Sequence, residues 1–345
     1  MTVGGDSKVA IGLIAIVVIF VALHLAAAIF APLALALFIM AVIWPMQKRL
    51  AHRLPKLVAL LISVVFTLAV VLFFVALVAW SFGRVGRGII ADSARYQAIY
   101  EQAVLWLEGH GISVVGLWAE HFNMTWVVSA VRQVAARMNT TLSFWLIAVI
   151  YVMLGLLEVD DMHRRIVSLK NRDAVRVLLD GITQTAAKFQ QYMGVRSLMS
   201  LATGVLVYLL AKVTGLEFAA EWGVVAFVMN YIPFIGPFIA TLFPTLFAMA
   251  QFGSLQGVLG IFACLNIIQF VVGSYIEPRV AGNALSMSPF IVLFSVFFWT
   301  FIWGMFGAFI GVPITIAIIT FCAQHPSSRW VSDIIGGSDK SLKQV

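Results

Sequence analysis

Glu277 and Arg279 are the residues of this sequence whose isolation first points to chemistry. No other charged side chain lies between Trp222 and Gln324, and the two flank Pro278. An ionisable group in or beside hydrocarbon is costly unless it is paired or hydrated, so such residues indicate a functional site by default. A membrane carboxylate such as Glu277 could exchange a proton for a metal ion, although the neighbouring guanidinium opposes cation binding. Alternatively, the two residues form an interfacial turn whose charges reach water.

Three uncharged amide side chains in the same apolar part of the chain are the other candidates. Asn230, Asn266 and Gln269 each offer hydrogen-bond donors and acceptors that suit a polar solute, and the last two lie one helical turn apart on a predicted span. Amides in membrane helices also serve as hydrogen-bonded contacts between helices. The sequence leaves both interpretations open.

Prolines and glycines interrupt two apolar stretches, residues 230–244 and 304–313. Proline removes a backbone donor and clashes with the preceding turn, so we predict helices that bend, break or re-enter the membrane. Many transporters bind substrate at such broken helix ends, which offer free N–H and C=O groups. The predicted helix-breaking or gating positions are Pro233, Gly236, Pro237, Pro244, Pro278, Gly282, Gly304, Gly307, Gly311 and Pro313.

The spacing of these residues adds two expectations. Pro233 and Pro237 are expected to form a hinge and to leave carbonyl groups between Met229 and Pro233 without intrahelical partners. Gly307 and Gly311 form a GxxxG pair, which permits close helix contact either within one subunit or between subunits.

The composition assigns the chain to a structural class. Of its residues, 62% are hydrophobic and 11% charged, whereas soluble domains average about 45–50% and about 25%. The apolar runs are continuous, so they predict helices and exclude the alternating strands of a membrane barrel. We predict an all-α, polytopic integral membrane protein with about eight transmembrane helices, some of them broken by proline or glycine.

Charge distribution predicts the topology and the division of the chain. Basic residues cluster at 48–56 and 164–176, and the positive-inside rule places both clusters and both termini in the cytoplasm. Residues 9–44 are too long for one crossing and predict a helical hairpin that turns near residues 28–32. The predicted sections are residues 1–80, an N-terminal hairpin plus the third span; 81–139, an extracytoplasmic or interfacial amphipathic region; 140–195, the fourth span and charged cytoplasmic helices; 196–324, a transmembrane core with broken helices; and 325–345, a cytoplasmic tail.

Enzyme motifs are absent from the sequence. There is no HExxH, GxSxG or Walker A motif and no cysteine–histidine metal spacing. We therefore predict a protein that is not an enzyme, with no catalytic residues, metal or cofactor, and its basic residues report orientation rather than nucleic-acid binding.

Four segments form a recognisable set: QYMGVRSL from Gln191, NYIPFIGPFIATLFP from Asn230, EPRVAGNALSMSP from Glu277 and WGMFGAFIGVP from Trp303. With these segments the chain resembles the autoinducer-2 exporter (AI-2E) family of bacterial membrane proteins. The resemblance covers most of the chain. Tyr231 departs from the family pattern, in which the position before isoleucine-proline is less polar.

The resemblance implies a transporter in the bacterial inner membrane that exports a small solute such as autoinducer-2, with a role in quorum sensing. The alternatives are a sodium- or lithium-proton antiporter and, from another class, a non-transporting membrane scaffold. Membrane lipid and a small-molecule or cation substrate are the expected partners. The resemblance also implies a homo-oligomer, with five subunits as the suggested number.

Overall fold

A computed structural model describes residues 3–91, 109, 124–281 and 287–336 of the chain. These residues confirm the predicted all-α fold. The helices are α1 Val3–Leu25, α2 Ala27–Ala51, α3 Lys56–Ala91, α4 Met124–Val167, α5 Arg172–Thr214, α6 Ala219–Met229, α7 Ile235–Phe252, α8 Leu255–Phe270, α9 Glu277–Ala281, α10 Pro289–Gln324 and α11 Arg329–Ile335, with a π-helical segment Val271–Ile276 between α8 and α9.

Within this described part, seven helical segments are long and apolar enough to cross a membrane. The protein is therefore a multi-pass membrane protein, as the composition predicts. The spanning candidates are Ala27–Ala51, Lys56–Ala91, Ser143–Val167, Arg172–Thr214, Ile235–Phe252, Leu255–Ala281 and Pro289–Gln324.

The chain divides into two compact units, whose boundaries fall inside the long helices α3, α4 and α5. The first unit comprises Met1–Thr67, Phe144–Met193 and Asn283–Val345, and the second comprises Leu68–Ser143 and Gly194–Gly282. The five sections predicted from composition stay a prediction. Most of the predicted amphipathic region, residues 81–139, lies outside the described residues, and α3 continues past its predicted end at Trp80 to Ala91.

In the first unit, α10 is a helical hairpin and not one long helix. Trp303 (φ −127°, ψ 17°) and Gly304 (φ 62°, ψ −144°) leave helical geometry, and the indole of Trp299 donates a 3.4 Å hydrogen bond to Thr315 Oγ1. In a straight helix Trp299 and Thr315 would be about 24 Å apart. The chain therefore reverses at Gly304, where a positive φ is free of the Cβ penalty. A break at the later GVP motif is wrong, because Pro313 lies inside the second half of the hairpin.

The GxxxG pair packs inside this hairpin. A Cβ atom on Gly307 would lie 1.8 Å from the carbonyl oxygen of Trp299, and one on Gly311 would lie 2.9 Å from that of Ser295. Both glycines are buried. The pair thus provides close contact within one subunit, the local alternative of the two that the sequence left open.

The first bend of the chain lies at Ala26, so the predicted turn at residues 28–32 is wrong. Ala26 (φ −98°, ψ 28°) separates α1 from α2, and Pro32 lies inside α2. Tertiary contacts fix this position: His24 Nδ1 lies 3.0 Å from the Ile302 carbonyl oxygen, and the Trp303 indole donates to the Leu23 carbonyl over 3.0 Å.

The second unit is built around an apolar cluster that joins α5, α6, α7 and α8. Its buried members include Val207, Trp222, Phe247 and Leu265. Helices α5 and α6 touch through their backbones: a Cβ on Gly204 would lie 2.9 Å from the Gly223 carbonyl oxygen, and the reciprocal distance is also 2.9 Å. This glycine contact holds α6, and the turn that follows it, against the middle of α5.

Candidate functional site

A buried ion pair joins α5 to α9 in the second unit. Arg196 Nη1 lies 3.0 Å from Glu277 Oε1 and 3.1 Å from Oε2, and the two side chains are only 8% and 14% exposed. Removing two charges from water is costly, and a close, hydrogen-bonded pair offsets that cost. The carboxylate that the sequence singles out is therefore neutralised by an arginine from a distant part of the chain.

Arg279 does not contact this pair. Its guanidinium carbon lies 3.7 Å from the centre of the Tyr275 ring, a cation–π geometry, and the residue is exposed. The structure thus separates the two charged residues that the sequence placed together.

The helix that carries Glu277 widens without breaking. Pro278 has no N–H to donate to the carbonyl four residues earlier, and the π-helical segment Val271–Ile276 ends two residues before it. A π-segment accommodates such a local mismatch, and such segments are frequent at functional sites. The interpretation of residues 277–279 as an interfacial turn is wrong, because they continue the helical run Leu255–Ala281. Gly282 lies outside the described residues.

A tight turn, residues 230–234, joins α6 to α7 and is called here the hairpin tip. Phe234 adopts φ 62° and ψ −54°, and a Cβ atom on Gly236 would lie 1.9 Å from the Met229 carbonyl oxygen. The strained residue and the close backbone approach, rather than the prolines alone, fix this reversal.

Three of the five carbonyl groups between Met229 and Pro233 are satisfied locally, contrary to the expectation for these three. Met229 O accepts from Ile232 N over 2.9 Å, Ile232 O from Gly236 N over 2.9 Å, and Pro233 O from Ile235 N over 2.7 Å. Pro237 lies in the first turn of α7, where amide N–H groups have no intrahelical acceptor to lose. Pro244 is buried inside α7 and does not break it.

Two polar side chains of the hairpin tip bond to α5. Asn230 Nδ2 lies 3.3 Å from Ser200 Oγ, and the Tyr231 hydroxyl lies 3.0 Å from Ser197 Oγ. Asn230 and Tyr231 are 5% and 7% exposed. One face of α5 therefore presents Arg196, Ser197 and Ser200 to the hairpin tip and to α9.

The two remaining amide candidates are placed differently. Asn266 is exposed, and its Nδ2 donates to the Phe262 carbonyl of its own helix over 2.8 Å. Gln269 is half-buried, and its Nε2 is shielded from solvent with no hydrogen-bond partner among the described residues. The four helix-breaking candidates of α10 belong to the first unit.

Sequence reasoning missed Arg196, Ser197 and Ser200 as site residues. Arg196 nevertheless shows the signal that selected Glu277, a charged residue isolated in an apolar segment. It is the only charged residue between Lys188 and Lys212. It also lies within the QYMGVRSL segment of the family resemblance. The two serines carry no comparable signal, because serine is common in membrane helices as a backbone-bonded residue.

Comparison with known proteins decides the family. The model of the AI-2E family transporter matches residues 13–326. The chain belongs to this family. It is 24% identical to the AI-2 transport protein TqsA of Escherichia coli K12, over 96% of both chains, and 27% identical to a protein of Haemophilus influenzae that is named only as a transport protein, over 94% of this chain and 95% of that one. A Borreliella burgdorferi protein with a similar general name is 34% identical, but only over 47% of this chain and 44% of its own.

Segments that carry the AI-2E family resemblance come together in the structure. Three of the four segments that carry the family resemblance meet in the second unit: Arg196 and Ser197 from the first, Asn230 and Tyr231 from the second, and Glu277 from the third. This protein is a membrane transporter by family, and this meeting point is its candidate transport site.

Proposed function

We propose that this AI-2E family transporter exports a small polar solute and that the contacts between α5, the hairpin tip and α9 control its passage. The observation that carries the proposal is the convergence of three motif segments on one buried polar cluster. Buried polar contacts in a membrane helix bundle indicate a pathway, because they are costly to maintain for packing alone.

The chemistry of the cluster favours a solute without net charge. Arg196 and Glu277 neutralise each other, and the remaining groups are the hydroxyls of Ser197, Ser200 and Tyr231 and the amide of Asn230. Such groups can exchange their mutual hydrogen bonds for bonds to a hydroxylated or carbonyl-bearing solute. Autoinducer-2 is the first solute to test, since the family description and one full-length relative are named for it.

Cation-proton exchange is not favoured by these contacts. The only carboxylate of this cluster, Glu277, lies within hydrogen-bonding distance of Arg196 through both of its oxygens. A cation would have to displace this guanidinium before it could bind. In a scaffold without transport activity the same polar bonds would only hold helices together. An absence of flux would support that alternative.

Location and assembly complete the proposal. The family supports a bacterial inner-membrane location. The basic clusters at residues 48–56 and 164–176 support an orientation with both termini in the cytoplasm. A homo-oligomer, with five subunits as the first number to test, rests on the family resemblance.

Reconstitution into liposomes tests the function. Proteoliposomes would be loaded with autoinducer-2, and efflux would be measured with and without sodium, lithium and proton gradients. We expect protein-dependent efflux that does not require a sodium or lithium gradient. Cation-dependent pH changes without solute flux would support the antiporter, and neither signal would support the scaffold.

A further inference from the structure

Thr203 is a buried polar residue that takes part neither in the Arg196–Glu277 ion pair nor in the hydrogen bonds of the hairpin tip. It is 0% exposed, and its Oγ1 has no hydrogen-bond partner among the described residues. Threonines in the same unit behave otherwise: Thr214 and Thr245 each donate to the carbonyl four residues earlier, over 2.8 Å and 2.7 Å. That local bond is the usual solution in a helix, so an unpartnered buried hydroxyl requires an explanation.

Gln269 carries another buried atom of this unit without a hydrogen-bond partner among the described residues. Its Nε2 is shielded from solvent and finds no acceptor in the described part of the chain. An amide nitrogen carries two donors, and leaving them unused in an apolar setting is unfavourable.

The packing of α5 and α8 places these two residues at the same level. The helices run antiparallel: Val207 and Leu265 belong to one apolar cluster, and Arg196 pairs with Glu277 in the continuation of α8. Thr203 lies about two helical turns after Arg196, and Gln269 lies about two turns before Glu277. Both therefore lie between the apolar cluster and the ion pair.

The hairpin tip contacts α5 close to this level. Ser200, one helical turn from Thr203, holds the amide of Asn230 at 3.3 Å. Polar groups from α5, from the hairpin tip and from α8 thus lie within a short stretch of the helix bundle. The apolar cluster borders this stretch on the side away from the ion pair.

We propose that Thr203 and Gln269, together with Asn230, form a binding site for a small neutral solute that bears hydroxyl or carbonyl oxygens. Thr203 Oγ1 can donate and accept, and Gln269 Nε2 donates to a solute oxygen. Asn230 joins by exchanging its bond to Ser200 for one to the solute. The inference rests on the proposed transport function and deepens it. Two of the three solute contacts, those of Thr203 and Gln269, come from atoms that have no hydrogen-bond partner among the described residues.

Cysteine accessibility tests the site without knowledge of the solute. In a Cys264→Ala, Cys322→Ala background, Thr203→Cys would be treated in membranes with 2-aminoethyl methanethiosulfonate, a small polar thiol reagent. Val207→Cys, one turn further into the apolar cluster and 1% exposed, is the matched control. We expect modification at position 203 and none at 207. Failure to modify position 203 in every condition would overturn the site.

Transport kinetics supply the second readout. Thr203→Val and Gln269→Leu should each raise the half-saturating concentration of autoinducer-2 about tenfold, the loss expected when one buried hydrogen bond to a ligand is removed. Thr185→Val is the control, because Thr185 Oγ1 is also buried, has no hydrogen-bond partner in the described part of the chain and lies in the first unit. Thr203→Val should not lower the melting temperature of the solute-free protein, since the Thr203 hydroxyl has no hydrogen-bond partner among the described residues.

The outcomes separate this inference from the proposed function. Wild-type half-saturation in both variants, with position 203 unreactive, would show that the two groups only hold buried water or nothing, and the site would be wrong. Modification at 203 in a protein that moves no autoinducer-2, ribose or glycerol would retain the polar site and reject the proposed export function.

Discussion

At the residue scale, the Arg196–Glu277 pair is the feature on which the account depends. Both side chains are nearly buried. Arg196 is the only charged residue between Lys188 and Lys212, and Glu277 shares its long apolar segment only with Arg279. Isolation in sequence identified Glu277 correctly as unusual but suggested the wrong companion. Arg279 is only two residues away, yet the helical geometry directs it over Tyr275. Residues two apart on a helix do not face each other.

Breaking the ion pair should cost more than replacing it. Arg196→Gln or Glu277→Gln alone leaves a buried charge without compensation, a loss of about 3–5 kcal/mol in the free energy of unfolding. The double variant Arg196→Gln, Glu277→Gln removes both charges and should recover at least half of that loss. Unfolding of the purified protein in detergent measures this difference. Arg279→Gln, an exposed control, should change stability by about 1 kcal/mol or less. Equal losses in the single and double variants would contradict the pairing.

At the element scale, the reversals at the hairpin tip and within α10 depend on close backbone contacts. The sequence predicted interruptions in both places, because proline and glycine have clear local effects. It could not place the reversals, since these depend on which backbones touch: Met229 against Gly236, and Trp299 against Gly307. Pro244 and Pro313 look like breaks in the sequence but lie inside helices.

The glycine contacts predict strong sensitivity at Gly236. Gly236→Ala would place a methyl group 1.9 Å from the Met229 carbonyl oxygen, so the turn must shift. We expect a loss of about 2–3 kcal/mol in stability and lower membrane abundance. Gly260→Ala is the control, because a Cβ there meets nothing within 4 Å. Membrane abundance and melting temperature are measured for both variants. Equal values for Gly236→Ala and Gly260→Ala would refute the close contact at Gly236.

Pro237 should tolerate replacement, since its place in the first turn of α7 requires no N–H. Pro237→Ala is expected to change the free energy of unfolding by less than about 1 kcal/mol and to leave transport near the wild-type rate. Flux in liposomes and thermal unfolding would show this. A selective loss of transport at unchanged stability would contradict this expectation and support the predicted hinge at Pro237.

At the scale of the whole molecule, composition and motifs predicted the class and the family, whereas the polar cluster needed the structure. Continuous apolar runs specify membrane helices without any knowledge of their neighbours. The bond from Asn230 to Ser200 or from Tyr231 to Ser197 is a matter of helix packing, and nothing in the types of these residues selects one partner over another.

The proposed homo-oligomer is a prediction at this scale. We expect a complex larger than one subunit, with five copies as the first value to test, when the protein is extracted in mild detergent. Native mass spectrometry or light scattering with detergent correction measures the mass. Because Gly307 and Gly311 are buried within their own hairpin, the contacts are expected to lie elsewhere. A monomer at every usable protein concentration would contradict the proposal.

The central claim is that the Arg196–Glu277 pair belongs to the transport pathway, and solute efflux from liposomes containing Glu277→Gln tests it most directly. The matched control is Glu217→Gln, an exposed carboxylate of the same unit. At equal protein abundance in the liposomes, the account predicts at least about a tenfold loss of autoinducer-2 efflux for Glu277→Gln and a wild-type rate for Glu217→Gln. The exchanged variant Arg196→Glu, Glu277→Arg should regain part of the activity. Wild-type efflux by correctly folded Glu277→Gln protein would contradict the account.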